Sequence, residues 1–201
     1  MYKRQGYISL EHDSLLYSYF KQSDIDTRSR AMWDYYKNIY PNAKTSQESI
    51  LHKYFDLWDF RIEQNIGMVQ SRKLSINDAF RELKWYTILF SEIENPSEEH
   101  LIRMEKIAKL TGGIGDFFID NILSKLVDYL AINYKLVLEI IFTYIKNRDN
   151  PHWILLTKSD IVRQILEEVY ILLESDEDLA IYERILDELH ANGFNISGLS
   201  T

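Results

Sequence analysis

One cycle recurs along the chain and governs what it can fold into: a capping residue, about 12 to 20 residues with apolar side chains three and four apart, then a polar break. Asn95-Pro96-Ser97-Glu98 is its clearest opening. Asn95 can accept a backbone N–H as a cap, Pro96 suits the first helical position, and Glu98 can complete a capping box. The helix expected over about 95–110 carries Leu101, Met104, Ile107, Ala108 and Leu110 along one stripe. Thr111-Gly112-Gly113-Ile114-Gly115 stops it, because glycine takes the left-handed cap conformation without a Cβ clash.

The same pattern predicts helices on either side. Two precede it over about 11–21, with Leu15, Leu16, Tyr19 and Phe20 inward, and about 23–40, opened by Ser23-Asp24-Ile25-Asp26 and closed by Pro41. Thr45-Ser46-Gln47-Glu48 opens a long helix to about residue 65, with Ile50, Leu51, Tyr54, Phe55, Trp58 and Ile62 inward and Gly67 loosening its end. Ser75 caps the next, to about 93, which carries Phe80, Leu83, Tyr86 and Phe90. Asp116 opens a helix over about 116–132, apolar at Phe118, Ile122, Leu126, Val127 and Leu130. The stretch 134–146 is apolar on almost every side, as in a helix sandwiched between neighbours. A loop containing Pro151, His152 and Trp153 leads to a helix capped by Thr157 or Ser159 and ending near residue 173. Ser175-Asp176-Glu177-Asp178 opens the last helix and Gly193 closes it, leaving 194–201 as an irregular tail.

The expected fold is therefore all-α, with about nine helices and no strand. Helix pairs recur at roughly 35 to 45 residues, the size range of two-helix HEAT or armadillo repeats. An α-solenoid of stacked helical hairpins over 6–193 is the expected architecture. A compact, irregular helical bundle is the alternative.

Composition narrows the chemistry. The absence of Cys removes thiolate metal sites, disulfides and a Cys nucleophile. With 31 Asp and Glu against 23 Lys and Arg, the chain carries a net charge of −8, which disfavours a surface that coats nucleic acid. Arg28 and Arg30, then Arg72 and Lys73, come closest to basic patches. No apolar run is long enough for a membrane-spanning helix. The one glycine-dense stretch follows a helix and lacks the Lys-Ser/Thr ending of a phosphate loop. Among His12, His52, His100, His152 and His190 no pair has the i, i+4 spacing of a helical metal site. Glu98-Glu99, Glu167-Glu168, Asp176 to Asp178 and Asp187-Glu188 lie beside caps or on polar faces and read as solvated surface. No catalytic, cofactor-binding or metal-ligating residue is assigned, and no cofactor is expected. The candidate contact point is the loop pair His152 and Trp153, since an exposed loop Trp is a common interface anchor.

Four strings carry a resemblance. Leu57-Trp58-Asp59-Phe60-Arg61 closes one long helix, and Glu82-Leu83-Lys84-Trp85-Tyr86 lies in the next. His152-Trp153-Ile154-Leu155 then precedes the 160–166 helix, and Ile185-Leu186-Asp187-Glu188-Leu189-His190-Ala191-Asn192-Gly193-Phe194 comes last. In this order they resemble the C-terminal helical region of large bacterial NTPases of the STAND or NACHT type, over about three quarters of the chain. The resemblance implies a cytoplasmic sensor or scaffold joined to an upstream NTPase module, in a group several of whose members act in defence against phage. It carries ATP binding onto no residue of this chain, which has no phosphate loop and no acidic Mg²⁺ motif.

The opening Met1-Tyr2-Lys3-Arg4-Gln5 matches the translation of a transposase adapter used in DNA sequencing libraries, read from a GTG start. Residues 1–5 are therefore expected to be foreign, with native sequence starting near Gly6 and continuing upstream. The expected function is a non-enzymatic helical-repeat segment that contacts a protein partner or upstream domains. The alternative is a self-contained acidic helical binding or regulatory domain, whose charge suits a basic partner.

Overall fold

The computed structural model describes residues 24–25, 47–112, 119–146 and 159–199. They form six helices: α1 (Gln47–Gln70), α2 (Ile76–Glu92), α3 (Glu98–Thr111), α4 (Ile119–Lys146), α5 (Ser159–Leu172) and α6 (Asp176–Ala191). The all-α expectation holds for these residues, none of which is in a strand. Six helices stand where about nine were expected. The helices predicted over 11–21 and 23–40 lie outside the described residues, apart from Asp24 and Ile25. The two predicted over 116–132 and 134–146 form the single element α4. The chain divides into two compact units, Met1–Trp85 and Tyr86–Thr201, with the division inside α2.

In the first unit, Phe55, Leu57, Trp58 and Ile62 of α1 are buried, as are Ala79 and Leu83 of α2. Phe55, Trp58, Ile62 and Leu83 follow the expected stripe, Leu57 and Ala79 widen it, and Phe80 is only half-buried. Gly67 does not end α1, which runs on to Gln70. A single glycine costs a helix only about 1 kcal/mol, too little to break one that packs well. The helix stops instead in a turn where Lys73 N–H donates to Met68 O at 2.8 Å and Arg72 takes φ 57°. Ser75 caps α2 as expected: its Oγ accepts the Asp78 N–H at 3.0 Å and donates to Asp78 Oδ2 at 2.8 Å.

In the second unit, α3 begins later than the sequence suggests. Its cap is Ser97, in extended conformation, rather than Asn95. His100, not Glu98, reaches back to it, with Nδ1 accepting the Ser97 N–H at 3.2 Å. A histidine nitrogen at the third helical position does the work usually given to Glu or Gln. Gly112 closes α3 in the left-handed conformation at φ 65°, its N–H on Ala108 O at 2.7 Å. Gly113, Ile114 and Gly115 lie outside the described residues.

Within α4, Asn133 is non-helical, at φ −159° and ψ 86°. Its Oδ1 accepts the Leu136 N–H at 3.1 Å, which makes it the N-cap of a new helical arm over 134–146. Its Nδ2 donates to Glu98 Oε1 at 2.7 Å. Lys109, at the other end of α3, reaches Glu139 at 2.7 Å and also pairs with Glu105. From Glu98 to Lys109 a helix rises about 16 Å, and from Asn133 to Glu139 about 9 Å. Both contacts are possible only if the second arm of α4 runs alongside α3 in the same direction. Asn133 is thus the kink at which the two arms of α4 part in direction.

That geometry places α4 against α3, α5 and α6. Val137, Leu138, Ile140, Ile141, Tyr144 and Ile145 of the second arm are buried, as expected for a sandwiched helix. Phe90 of α2 stacks on Tyr129 of the first arm with ring centroids 4.8 Å apart. The segment after α6 is irregular but attached. Phe194 and Leu199 are buried, and Arg163 of α5 donates to the carbonyls of Asn195 at 2.7 Å and Ser197 at 3.0 Å.

Replacing Asn133 by Ala removes the cap of the second arm without touching its apolar residues. The expected loss is about 1 kcal/mol of stability in chemical denaturation, with faster amide exchange at the start of that arm, at Lys135 and Leu136.

Candidate functional site

Three buried polar clusters are the candidates for chemistry among the described residues. The first joins α1 to α2. Arg61 Nε donates to Glu82 Oε1 at 2.5 Å and Arg61 Nη2 to Glu82 Oε2 at 2.9 Å. The two side chains are 7% and 0% exposed. Asn65, one turn after Arg61, donates from Nδ2 to Glu82 Oε2 at 3.2 Å and to the Arg61 carbonyl at 2.9 Å. The planar guanidinium matches both carboxylate oxygens at once. Arg61 and Glu82 thus spend their charges on each other.

The second cluster ties the second arm of α4 to the start of α6. Lys135 Nζ lies 2.9 Å from Asp178 Oδ1, and the Tyr134 hydroxyl donates to Asp178 Oδ2 at 2.9 Å. Asp178 N–H donates to Ser175 Oγ at 3.2 Å, so the residue is also the third helical position behind its cap. The sequence reading put Asp178 on a solvated face with Asp176 and Glu177. The structure corrects this: Asp176 and Glu177 are exposed, but Asp178 is buried. Tyr134 and Lys135, 43 or more positions away in sequence, cover it, a contact that local spacing does not reveal. The Lys135 hydrogen bond, then that with Ser175, holds the Asp178 carboxyl down at about 2.

The third is the α3 cap. Besides accepting the Ser97 N–H, His100 Nδ1 lies 3.0 Å from Ser97 Oγ. Its backbone carbonyl accepts from the Tyr86 hydroxyl at 3.1 Å. A nitrogen that accepts from a backbone N–H carries no proton, so His100 is neutral with its proton on Nε2. Burial lowers its pKa to about 4, and the nearby cations Arg103 and Lys125 add to the shift.

The residues singled out from sequence are scattered. His152 and Trp153, the candidate contact loop, lie outside the described residues, as do Arg28 and Arg30. Arg72 and Lys73 are exposed in the turn after α1, and His190 is exposed near the end of α6. Glu98 and Glu99 are exposed, the first on Asn133 and the second 3.8 Å from Arg103. Glu167 and Asp187 are exposed, whereas Glu168 and Glu188 are half-buried. Among the described residues no group of three His, Asp or Glu could hold a metal ion.

The surface adds something that periodicity missed. Ile171 is 82% exposed and Tyr170 42%, side by side in the last turn of α5. Ile76, Ile102 and Ile132 are also exposed, but at separate places in the sequence. No family model matches the chain, and neither a curated protein nor a solved structure does.

Two outcomes are expected. Arg61→Met alone should destabilise the protein by about 3 kcal/mol, because Glu82 stays buried without its partner, while Arg61→Met with Glu82→Leu should recover most of the loss in urea denaturation. The second concerns pH. Unfolded His100 titrates near 6.5 and folded His100 near 4, so between these values the unfolded chain binds more protons. Stability should therefore fall as pH is lowered from 6.5 to 4, by about 2 kcal/mol. Asp178 weakens the fold only lower, from about 3.8 toward 2. Denaturation midpoints of His100→Gln across this range should lose the upper slope and keep the lower one.

Proposed function

We propose that the chain is a non-enzymatic helical scaffold or sensor segment that works by protein–protein contact. Its form on this reading is an α-solenoid of stacked hairpins. Its setting is cytoplasmic, in the C-terminal region of a large bacterial NTPase of the STAND or NACHT type acting in phage defence. The observation that carries the reading is the kinked α4, whose second arm meets α3 at Asn133–Glu98 and Glu139–Lys109 and which packs against α3, α5 and α6. Consecutive helices doubling back on one another are the building unit of repeat stacks. The buried polar clusters support it as well: each joins one helix to another or closes a helix end. The Arg61–Glu82 pair also links the two strings with which the resemblance begins.

In such a stack the chain supplies contact surface and the upstream module supplies nucleotide chemistry. Recovering the upstream reading frame from genomic DNA tests this. A phosphate loop followed by further helical repeats, in frame with Gly6, is the expected result. An in-frame stop directly before codon 1 would overturn it and leave a self-contained acidic helical binding domain.

A further inference from the structure

Ile171 and Tyr170 stand out because they break the rule that their own helix keeps. Val162, Ile165, Leu166 and Val169 of α5 are buried, following the apolar stripe, while Ile171 lies on the opposite side in full contact with water. Tyr170 is not loose: its ring leans against Tyr182 of α6, centroids 5.8 Å apart. A half-exposed aromatic ring held by a neighbour has little freedom left to lose on binding, which suits an anchor.

The surroundings are acidic on both sides. Glu167 lies one turn before the pair and Glu174 one turn after it, and Asp176 and Glu177 open α6; all four are exposed. No Lys or Arg occurs between Arg163 and Arg184. Arg163 sits 3.7 Å from Glu167, and Lys135 is taken by Asp178. Asp176 and Glu177 make no ion pair among the described residues, and Glu174 makes none closer than its electrostatic pull on Lys135.

We propose that this corner between α5 and α6 binds a basic segment of a partner protein. An apolar side chain of that segment covers Ile171 and Tyr170, and its Lys or Arg residues meet Glu167, Glu174, Asp176 and Glu177. Charge decides the occupant. A second copy of the chain would bring the same acids face to face, and an anionic lipid surface or a nucleic acid would be repelled. The proposal rests on the protein-contact reading above and adds to it a place and a partner chemistry.

A random peptide library displayed on phage, selected against the immobilised full chain, tests it. Selected peptides are then measured by fluorescence anisotropy on the wild type, on Ile171→Ser and on the double variant Glu174→Lys, Glu177→Lys. These positions are exposed, and unchanged thermal melts confirm that the variants fold. The expected result is peptides rich in Lys or Arg with an apolar residue, whose binding weakens about tenfold in both variants. Peptides that bind both variants as well as the wild type would overturn this site while leaving the protein-contact reading intact. Peptides sensitive to Ile171→Ser but neutral or acidic would overturn the assigned partner chemistry. Sensitivity to charge reversal alone would reduce the site to unspecific attraction and overturn it too. A selection that enriches nothing counts against both the site and the protein-contact reading.

Discussion

The hydrogen bond from Leu136 N–H to Asn133 Oδ1 is the constraint on which the second unit is built. An unbroken helix of 28 residues would extend about 42 Å and carry its second half away from α3. Val137, Ile140, Ile141 and Tyr144 would then need other cover. By leaving the helical region at one residue and capping the next turn with the same side chain, Asn133 redirects the chain at small cost. Its amide nitrogen, on Glu98, sets where along α3 the kink sits. The second arm can be apolar on most sides because α3, α5 and α6 all pack against α4.

The buried polar groups add definition rather than bulk stability. Burying a paired Arg and Glu gains little over an apolar pair of the same shape, since both charges lose their water. What Arg61 and Glu82 supply is selectivity: a slip of one residue between α1 and α2 would leave two charges buried and unmatched. Asp178 does the same between α4 and α6, where any other packing would cost it Lys135 or Tyr134. His100 differs, because its value lies in being neutral, with a bare nitrogen turned toward an orphan N–H of the α3 start.

Much of the fold was legible. Phe55, Trp58, Ile62, Leu83, Leu101, Met104, Ile107, Ile122 and Leu126 are buried where the spacing placed them. Ser75, Gly112 and Ser175 cap as their types suggest. The errors share one cause. Asn95 is as good a cap as Ser97 by type, but it is Ser97 whose N–H meets the His100 ring. Gly67 is a helix breaker by type, but packing outweighed its cost. Asp178 looked like a solvated charge because its partners lie 43 and 44 positions away, and the Arg61–Glu82 pair, 21 positions apart, gave no local signal at all. Ile171 escaped notice because an apolar residue in a helix is expected to be inside, and periodicity marks which residues match the stripe, not which ones defy it.

The sequence by itself determined the class of fold, most of the buried stripe and the break near residue 133, because helix caps and apolar spacing act within one or two turns. Only the tertiary structure decided that α4 kinks at Asn133 against Glu98, that Arg61 meets Glu82 and Lys135 meets Asp178, and that Ile171 faces water. These depend on which helix faces which, a matter of contacts between residues far apart in sequence, where local propensity exerts no force.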